Sequence, residues 1–329
     1  MKKFLILTHL SVLLLFLLSG CNKPEPELEE PLYHSVVARN YLSEILNIMQ
    51  DNAINRYIID WSIFRSEVLV ETNGAETIED TYPGIERALE LLEDNHSVFI
   101  KPDGSGFTAG SFQCDLQNIT ETSWPENIGY IKVNSFSGSA NSSEAISFAK
   151  EIQQQIRGQD NSELEGWIVD LRGNLGGNMW PMLAGIGPIL GEGVAGYFID
   201  PDNNQSSWGF MDGSAMSNGV EAVTQIVNSY ELLNQNPKVA VLLNNSIASS
   251  GEALAVSFIG RENTRSFGTS TCGLSTSNSY FPLSDGAVLN LTTAYFADRN
   301  KRIYGESIEP DVQSENDDII QTSVYWILN

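Results

Sequence analysis

The chain has 329 residues and carries 42 acidic against 18 basic side chains, a formal net charge of −24 at pH 7. Apolar residues make up 42% and charged residues only 18% of the sequence, which excludes a wholly disordered chain. The acidic balance argues against nucleic acid as a partner, since phosphate binding needs a basic surface, and the length predicts about two domains.

The first 21 residues have the pattern of an export signal. Two lysines precede an apolar run at 4–18 that is too short for a comfortable membrane span. Small residues then precede Cys21, and this end resembles the lipobox of bacterial lipoproteins. The resemblance implies cleavage after residue 20 and a lipid on Cys21 that anchors the protein to a lipid bilayer of the bacterial cell envelope, on the periplasmic side or the cell surface. The alternative is an ordinary secretory signal with an incidental cysteine.

Residues 21–32 are rich in Pro and Glu and predict an extended tether. Loss of the two signal lysines leaves 16 basic side chains, so the net charge of the mature chain becomes −26. Two cysteines remain, Cys114 and Cys272. A disulfide and two separate buried thiols both stay open, because the sequence does not establish their distance. No set of Cys and His has the spacing of a zinc site, so no metal is implied.

The mature chain begins with helical patterns. Apolar residues recur at helical spacing over 33–92 and predict a small helical bundle. We place it in an N-terminal helical subdomain at 33–112, which also contains a turn, a short strand and His96. A Gly/Ser-rich connector at 113–127 leads to a second region, the core at 128–329.

The second region alternates predicted strands and helices. Strands are predicted at 128–133, 167–171, 239–243 and 288–296, and helices at 143–156, 179–190, 219–233 and 251–259. The strand at 167–171 is almost continuously apolar, which is typical of a strand buried on both faces. This alternation predicts an α/β layer with buried strands.

Two loops of this region have residues suited to acyl chemistry. NNSIASSGE at 244–252 lies between a buried strand and a helix, where a serine can expose its Oγ beside backbone N–H groups that hold an oxyanion. On this segment alone, the favoured interpretation is that the serine is a plain N-cap of the helix. DLRGNLGG at 170–177 lacks the nucleotide-binding spacing of glycines, but its glycines let the backbone approach a ligand closely.

Together these loops resemble the tail-specific, or C-terminal processing, serine proteases, a family that includes the tricorn core protease. The resemblance covers roughly 128–312. Its motifs are IGYIKVNSF at 128–136, DLRGNLGG at 170–177, VAVLLNNSIASSGEA at 239–253, TRSFGTSTCG at 264–273, LSDGAVLNLTTAYFADR at 283–299 and IEPD at 308–311. It implies an α/β fold with a crotonase-like (ClpP/crotonase) core, a serine-type peptidase acting on polypeptides, and no cofactor.

The resemblance also implies roles for individual residues. The family's nucleophile lies three residues before the glutamate that is Glu252 here, which gives Ser249, with Ser250 as second choice. The implied oxyanion donors are the Ser250 amide and a backbone N–H at Gly176 or Gly177.

The general base departs from the better-known members, which use a lysine 25 residues after the serine. That position is Leu274 here, and no lysine occurs between Lys238 and Lys301. A base is still needed, because a free serine hydroxyl is a weak nucleophile. His96 lies in LEDNHSVF at 92–99, which resembles the element that supplies a histidine base in lysine-less members. Alone it would more often be a structural histidine, but the missing lysine favours His96 as general base.

A third group should orient the imidazole. The candidate carboxylates are Asp298, Asp94, Glu306 and Glu252. We expect Asp298, although Tyr304 falls near where some relatives carry a glutamate. Asp170 and Arg172 are expected to form a structural pair beside the glycine turn.

Only 31 residues, 97–127, separate His96 from the core, too few for the PDZ domain that many relatives insert there. Two other functions are compatible with the same fold. One is a non-catalytic peptide or small-ligand binding protein, since the family includes a retinoid-binding relative. The other is a crotonase-type acyl enzyme. The retained Ser249 and His96 argue against the first, and the export signal argues against the second, because coenzyme A thioesters are cytoplasmic.

Overall fold

The computed structural model describes residues 32–109, 114–116, 119, 123–314 and 318–329. The predicted signal peptide, Cys21 and the tether up to residue 31 lie outside these residues, as do parts of the connector. Residues Tyr33–Asn329 form one compact unit, and the predicted boundaries within it remain predictions. No helix in the described ranges is long and apolar enough to cross a bilayer.

Seven α-helices and thirteen β-strands are present in the described ranges. The helices are α1 (Val36–Asn52), α2 (Trp61–Glu71), α3 (Tyr82–Leu92), α4 (Ser143–Gln159), α5 (Met179–Leu190), α6 (Ser250–Phe258) and α7 (Ile319–Leu328). The strands are β1 (Val98–Ile100), β2 (Gly106–Thr108), β3 (Ile128–Lys132), β4 (Gly166–Asp170), β5 (Gly193–Ile199), β6 (Gln205–Met211), β7 (Ser214–Ser217), β8 (Glu221–Gln225), β9 (Lys238–Leu243), β10 (Thr264–Gly268), β11 (Thr276–Pro282), β12 (Val288–Asp298) and β13 (Val312–Gln313).

A five-stranded parallel sheet, in the order β13-β10-β9-β4-β3, forms the centre of the core. In β4, Trp167 and Val169 join the apolar cluster that includes residues of α4, α5 and α6. The intervening Ile168 faces the opposite cluster with residues of α7. Both faces of the sheet are therefore covered, which explains why this strand is continuously apolar in the sequence.

A second, antiparallel sheet has the order β2-β1-β12-β5-β6-β7-β8, with β11 pairing β12. The prediction of a helix at 219–233 is wrong: the segment begins with strand β8 and continues without a helix. Asn218 and Gly219 both have positive φ, at 53° and 69°, and lie between β7 and β8. An Asn-Gly pair of this kind is a hairpin signal, and it outweighed the helical spacing of the apolar residues.

The N-terminal helices pack on this second sheet. Their apolar faces share one cluster with Leu289 and Leu291 of β12, and it includes Ile45 of α1 and Leu89 of α3. Strand β1 pairs antiparallel with β12. The helices predicted within 33–92 are confirmed. Their packing holds the loop between α3 and β1, which carries His96, beside β11 and β12.

Candidate active site

Ser249 lies between β9 and α6, at the N-cap of the helix. Its backbone has φ 54° and ψ −121°, a conformation that is uncommon and strained for a residue other than glycine. The Ser249 amide donates to Glu252 Oε2 at 3.0 Å, and its carbonyl accepts from the amide of Ala253 at 3.0 Å. These contacts hold the serine in a sharp turn that presents its Oγ at the end of the strand.

His96 meets Ser249 across 153 residues of chain. Its Nε2 lies 3.0 Å from Ser249 Oγ. The histidine backbone is held on both sides: the amide donates to Asp94 Oδ1 at 2.9 Å, and the carbonyl accepts from Asn278 Nδ2 at 2.8 Å. The structure thus brings the predicted nucleophile and the predicted base within hydrogen-bond distance, on a loop that is anchored independently of the serine.

The environment of His96 favours its neutral form. Burial lowers the pKa of the imidazole from 6.5 to about 4, and the charge of Asp94 opposes this shift only in part. A neutral imidazole has one ring nitrogen free to accept a proton. At neutral pH the side chain is therefore in the protonation state that a general base requires.

The other ring nitrogen, Nδ1, lies 2.8 Å from Thr276 Oγ1. Asp298, the expected third residue, is not placed there. Its carboxylate accepts from the amides of Asn300 and Arg302, at 2.8 and 3.1 Å, and from the hydroxyl of Tyr304 at 3.0 Å. The acid is used by the turn that follows β12, so the structure does not bring it to the histidine.

The other candidate carboxylates do not bind the ring either. Asp94 contacts the main chain and the hydroxyl of Ser97. Glu252 is fully buried and accepts from Ser249, from Thr271 Oγ1 at 2.5 Å and from the amide of Gly273 at 2.9 Å. Among the residues that the structure describes, Thr276 is thus the hydrogen-bond partner of Nδ1.

The glycine turn packs against the serine turn. The Gly176 amide donates to Asn174 Oδ1 at 2.9 Å, so this N–H is already occupied. Within the described part of the chain, the amides of Gly177 and Ser250 have no partner, and the Ser250 hydroxyl donates to the Gly177 carbonyl at 2.8 Å. Of the two glycines left open by the sequence, Gly177 has the amide that is free to hold an anion.

Residues 127–314, more than half of the chain, match the profile of peptidase family S41. The chain belongs to this family. It is a serine-type peptidase, and its α/β core is of the ClpP/crotonase type, so the predicted family, fold class and enzyme class are confirmed.

Individual relatives agree with this assignment. The chain is 27% identical over 274 residues to the nisin-resistance protein of Lactococcus lactis subsp. lactis, covering 82% of this chain and 80% of that protein. It is 24% identical over 239 residues to the carboxy-terminal processing protease CtpA of Bacillus subtilis, covering 70% of this chain but only 46% of that protein.

Solved structures share the fold. A lipoprotein from Streptococcus agalactiae superposes with a TM-score of 0.71 at 22% identity, over 89% of this chain and 96% of that one. The photosystem II D1 C-terminal processing protease superposes with a TM-score of 0.53 at 14% identity, over 85% and 93%.

A cavity of about 680 Å³ opens on the Ser249–His96 pair of this S41 peptidase. Its wall includes the exposed Gly177 and the side chains of Trp180 and Phe198. None of its lining residues is Asp, Glu, Lys or Arg. The site can thus enclose a segment of polypeptide against apolar and amide groups.

Two further side-chain pairs support the loops of the site. Arg172 binds Asp170 through two hydrogen bonds, at 2.9 and 2.7 Å, and Tyr130 donates to the same carboxylate at 2.6 Å. This is the expected pair, buried beside the glycine turn. Cys114 and Cys272 form a disulfide with their Cα atoms 5.3 Å apart, which decides the question that the sequence left open.

The structure adds functional contacts that sequence reasoning missed. Thr276 and Asn278, both on β11, hold the ring and the carbonyl of His96. Thr276 lies two residues beyond the position where lysine-using relatives carry their base, which is the one signal that pointed to this stretch. In the described ranges no cluster of three or more His, Cys, Asp or Glu residues is arranged to hold a metal ion.

Proposed function

We propose that Ser249 is the nucleophile and His96 the general base of this peptidase, which cleaves polypeptides through an acyl-enzyme. The observation that carries the proposal is the 3.0 Å distance between His96 Nε2 and Ser249 Oγ, on a serine held in a strained turn. The low pKa of the histidine supports it, because the base is unprotonated at neutral pH.

The reaction follows from the placement of these groups. His96 Nε2 takes the hydroxyl proton while Ser249 Oγ bonds to the peptide carbonyl carbon, and the carbonyl oxygen becomes an oxyanion. The amides of Ser250 and Gly177 stabilise this charge. The imidazolium then gives its proton to the leaving amine as the C–N bond breaks. In the second half of the reaction, His96 takes a proton from a water molecule whose oxygen bonds to the acyl carbon. As the bond from that carbon to Ser249 Oγ breaks, the imidazolium returns the proton to Oγ and the acid is released.

A fluorophosphonate probe tests the nucleophile. We expect the wild type to be labelled and Ser249→Ala to be unlabelled, because an activated serine displaces fluoride from the probe and becomes phosphonylated. Ser250→Ala must keep its label, which separates the first-choice serine from its neighbour. Ser143→Ala, at an exposed serine outside the cavity, is the matched control.

The alternative, a non-catalytic peptide or small-ligand binding protein, predicts a different result. The wild type and Ser249→Ala would then bind peptides equally and neither would cleave them.

His96→Ala tests the general base. If this variant keeps near-normal turnover, another group is the base and the proposed pair is wrong.

For substrates, we propose polypeptides of the cell envelope or outside the cell. The predicted export signal and lipobox support an envelope location with anchoring through Cys21, and the relatives named as a nisin-resistance protein and a lipoprotein agree with it. Comparing the termini of envelope proteins between cells with the wild type and cells with Ser249→Ala identifies the substrates, and nisin is a further peptide to assay. Equal sets of termini in the two strains would contradict an envelope substrate.

A further inference from the structure

The partner of His96 Nδ1 is a hydroxyl and not a carboxylate. Thr276 Oγ1 lies 2.8 Å from this nitrogen, while Nε2 lies 3.0 Å from Ser249 Oγ. We propose that Thr276 is the positioning residue of the catalytic histidine: its Oγ1 accepts a hydrogen bond from Nδ1–H and so keeps Nε2 free to take the serine proton. This inference rests on the roles proposed for Ser249 and His96.

The tautomer gives the contact its importance. A neutral imidazole carries one N–H, and only the tautomer protonated at Nδ1 presents a lone pair to the serine. A hydroxyl oxygen accepts from Nδ1–H both in this tautomer and in the imidazolium that forms during the reaction. The Thr276 contact can therefore persist throughout the proton transfer without any rearrangement.

The strand that carries the threonine is built to hold the histidine. Thr276 is the first residue of β11, only 6% exposed, and pairs with Tyr295 of β12. Asn278 on the same strand donates to the His96 carbonyl at 2.8 Å, and its own Oδ1 accepts from Thr292 at 2.9 Å. One strand thus fixes both the ring and the main chain of the histidine.

A neutral partner orients the ring without adding charge. Among the described residues no carboxylate lies within hydrogen-bond distance of the ring. The charged groups around it are Asp94 and Glu93 on its own loop, Glu252 behind the serine, and Arg302 and Glu306 in the cavity that borders Thr276. Burial outweighs the attraction of Asp94, so the imidazolium is not strongly stabilised and the pKa of His96 stays low.

Three variants test the role. Thr276→Val keeps the shape but removes the hydroxyl, and we expect kcat to fall about ten- to a hundredfold with KM nearly unchanged. Thr276→Ser restores the hydroxyl and should recover kcat to within about threefold. Thr293→Val removes a hydroxyl that bonds Ser279 at 2.8 Å in the same hairpin, and it should keep wild-type kcat.

Nitrogen-15 spectra of the histidine give a readout that a merely structural role would not move. In the wild type at neutral pH, His96 should be protonated at Nδ1, and in Thr276→Val the Nε2–H tautomer should gain population. A wild-type spectrum dominated by the Nε2–H tautomer overturns the inference, whether or not any variant folds. So does a folded Thr276→Val protein with unchanged kcat. Full turnover by His96→Ala is a separate result, because it refutes the proposed base rather than the hydrogen bond of Thr276.

Discussion

The buried carboxylate of Glu252 is tied to the main chain of Ser249. Its Oε2 accepts from the serine amide at 3.0 Å, and its Oε1 accepts from Thr271 Oγ1 and the Gly273 amide. Because the serine backbone is in a strained conformation, such contacts are needed to keep it there. Glu252 therefore holds the turn of the nucleophile and joins it to the loop at 271–273, and it does not orient the histidine.

Replacing Glu252 by Gln should weaken this link. The glutamine side chain has only one acceptor oxygen, and its NH₂ group is a donor. This NH₂ group would therefore face either the backbone N–H of Ser249 or the two donors on the other side, the Thr271 hydroxyl and the Gly273 N–H. An unsatisfied buried group costs about 1–3 kcal/mol, and we expect Glu252→Gln to lose about that much free energy of unfolding and to have a lower kcat. Denaturant titration and steady-state kinetics measure both. Glu163→Gln, at an exposed glutamate, is the control, and equal values in both variants would refute the link.

The activity of the peptidase should extend to acid pH. Since burial lowers the pKa of His96 to about 4, the base stays neutral well below the ordinary histidine pKa of 6.5. As pH falls, kcat/KM should show its final decrease near pH 4, where the imidazole of His96 gains a proton. If kcat/KM of Glu252→Gln, in which this glutamate no longer titrates, falls about threefold between pH 7 and 6, His96 has an ordinary pKa and the prediction is wrong.

The contribution of Glu252 to stability should have the opposite pH dependence: it should be larger at acid pH than at neutral pH. Burial raises its pKa to about 7, above its value in the unfolded chain. The folded protein then binds more protons between about pH 4.3 and 7, so this group's contribution to stability is full at the acid end and is lost as pH rises to about 7. As pH rises through this range, the wild type should therefore lose unfolding free energy relative to Glu252→Gln. A constant difference would contradict the raised pKa.

Parts of the fold that depend on local pattern were predictable. Strands β4 and β9 were identified because both of their faces are apolar, and the glycine turn and the serine turn follow directly from them. The two-residue turn at Asp212-Gly213, with φ of 48° and 73°, joins β6 to β7 and has a hairpin signature, yet those strands were not predicted. The reason is that polar residues and glycines interrupt them, so their apolar periodicity is weak.

The site was predictable only where a sequence motif marks a residue. Ser249 and His96 were identified through the family resemblance, because each residue alone favours a structural role, and the missing lysine narrowed the choice of general base to His96. Thr276 is 180 residues from His96, and a threonine has no distinctive chemistry, so only the pairing of β11 with β12 reveals the contact. Asp298 was one of four candidate carboxylates among which the sequence does not choose, and the turn after β12 uses its carboxylate.

The disulfide between Cys114 and Cys272 should stabilise both the fold and the site. It links residues 158 positions apart, and removing such a bond costs about 2–5 kcal/mol of unfolding free energy. Cys272 also lies between Thr271 and Gly273, the two donors to Glu252 Oε1. We expect the double variant Cys114→Ser, Cys272→Ser to unfold at lower denaturant and to have a lower kcat. Reductant should affect the wild type in the same way and leave the double variant unchanged. If reduction changes neither property, the bond does not support the site.

Gly176 and Gly74 have nearly equal φ, but only Gly176 lies beside the nucleophile. Replacing each by alanine therefore distinguishes the cost of backbone strain from a direct effect on Ser249. Gly176 has φ 92°, and a Cβ there would lie 2.7 Å from the Ala248 carbonyl oxygen and 2.8 Å from the Ser250 amide, beside Ser249. Gly74 has φ 88° with open space around the same position. We expect Gly74→Ala to lose about 1 kcal/mol of unfolding free energy with unchanged kcat, because only the conformational preference is violated. Gly176→Ala must push apart the glycine turn and the serine turn, so it should lose more stability and most of its kcat. Equal kcat in the two variants would mean that the glycine turn does not set the position of Ser249.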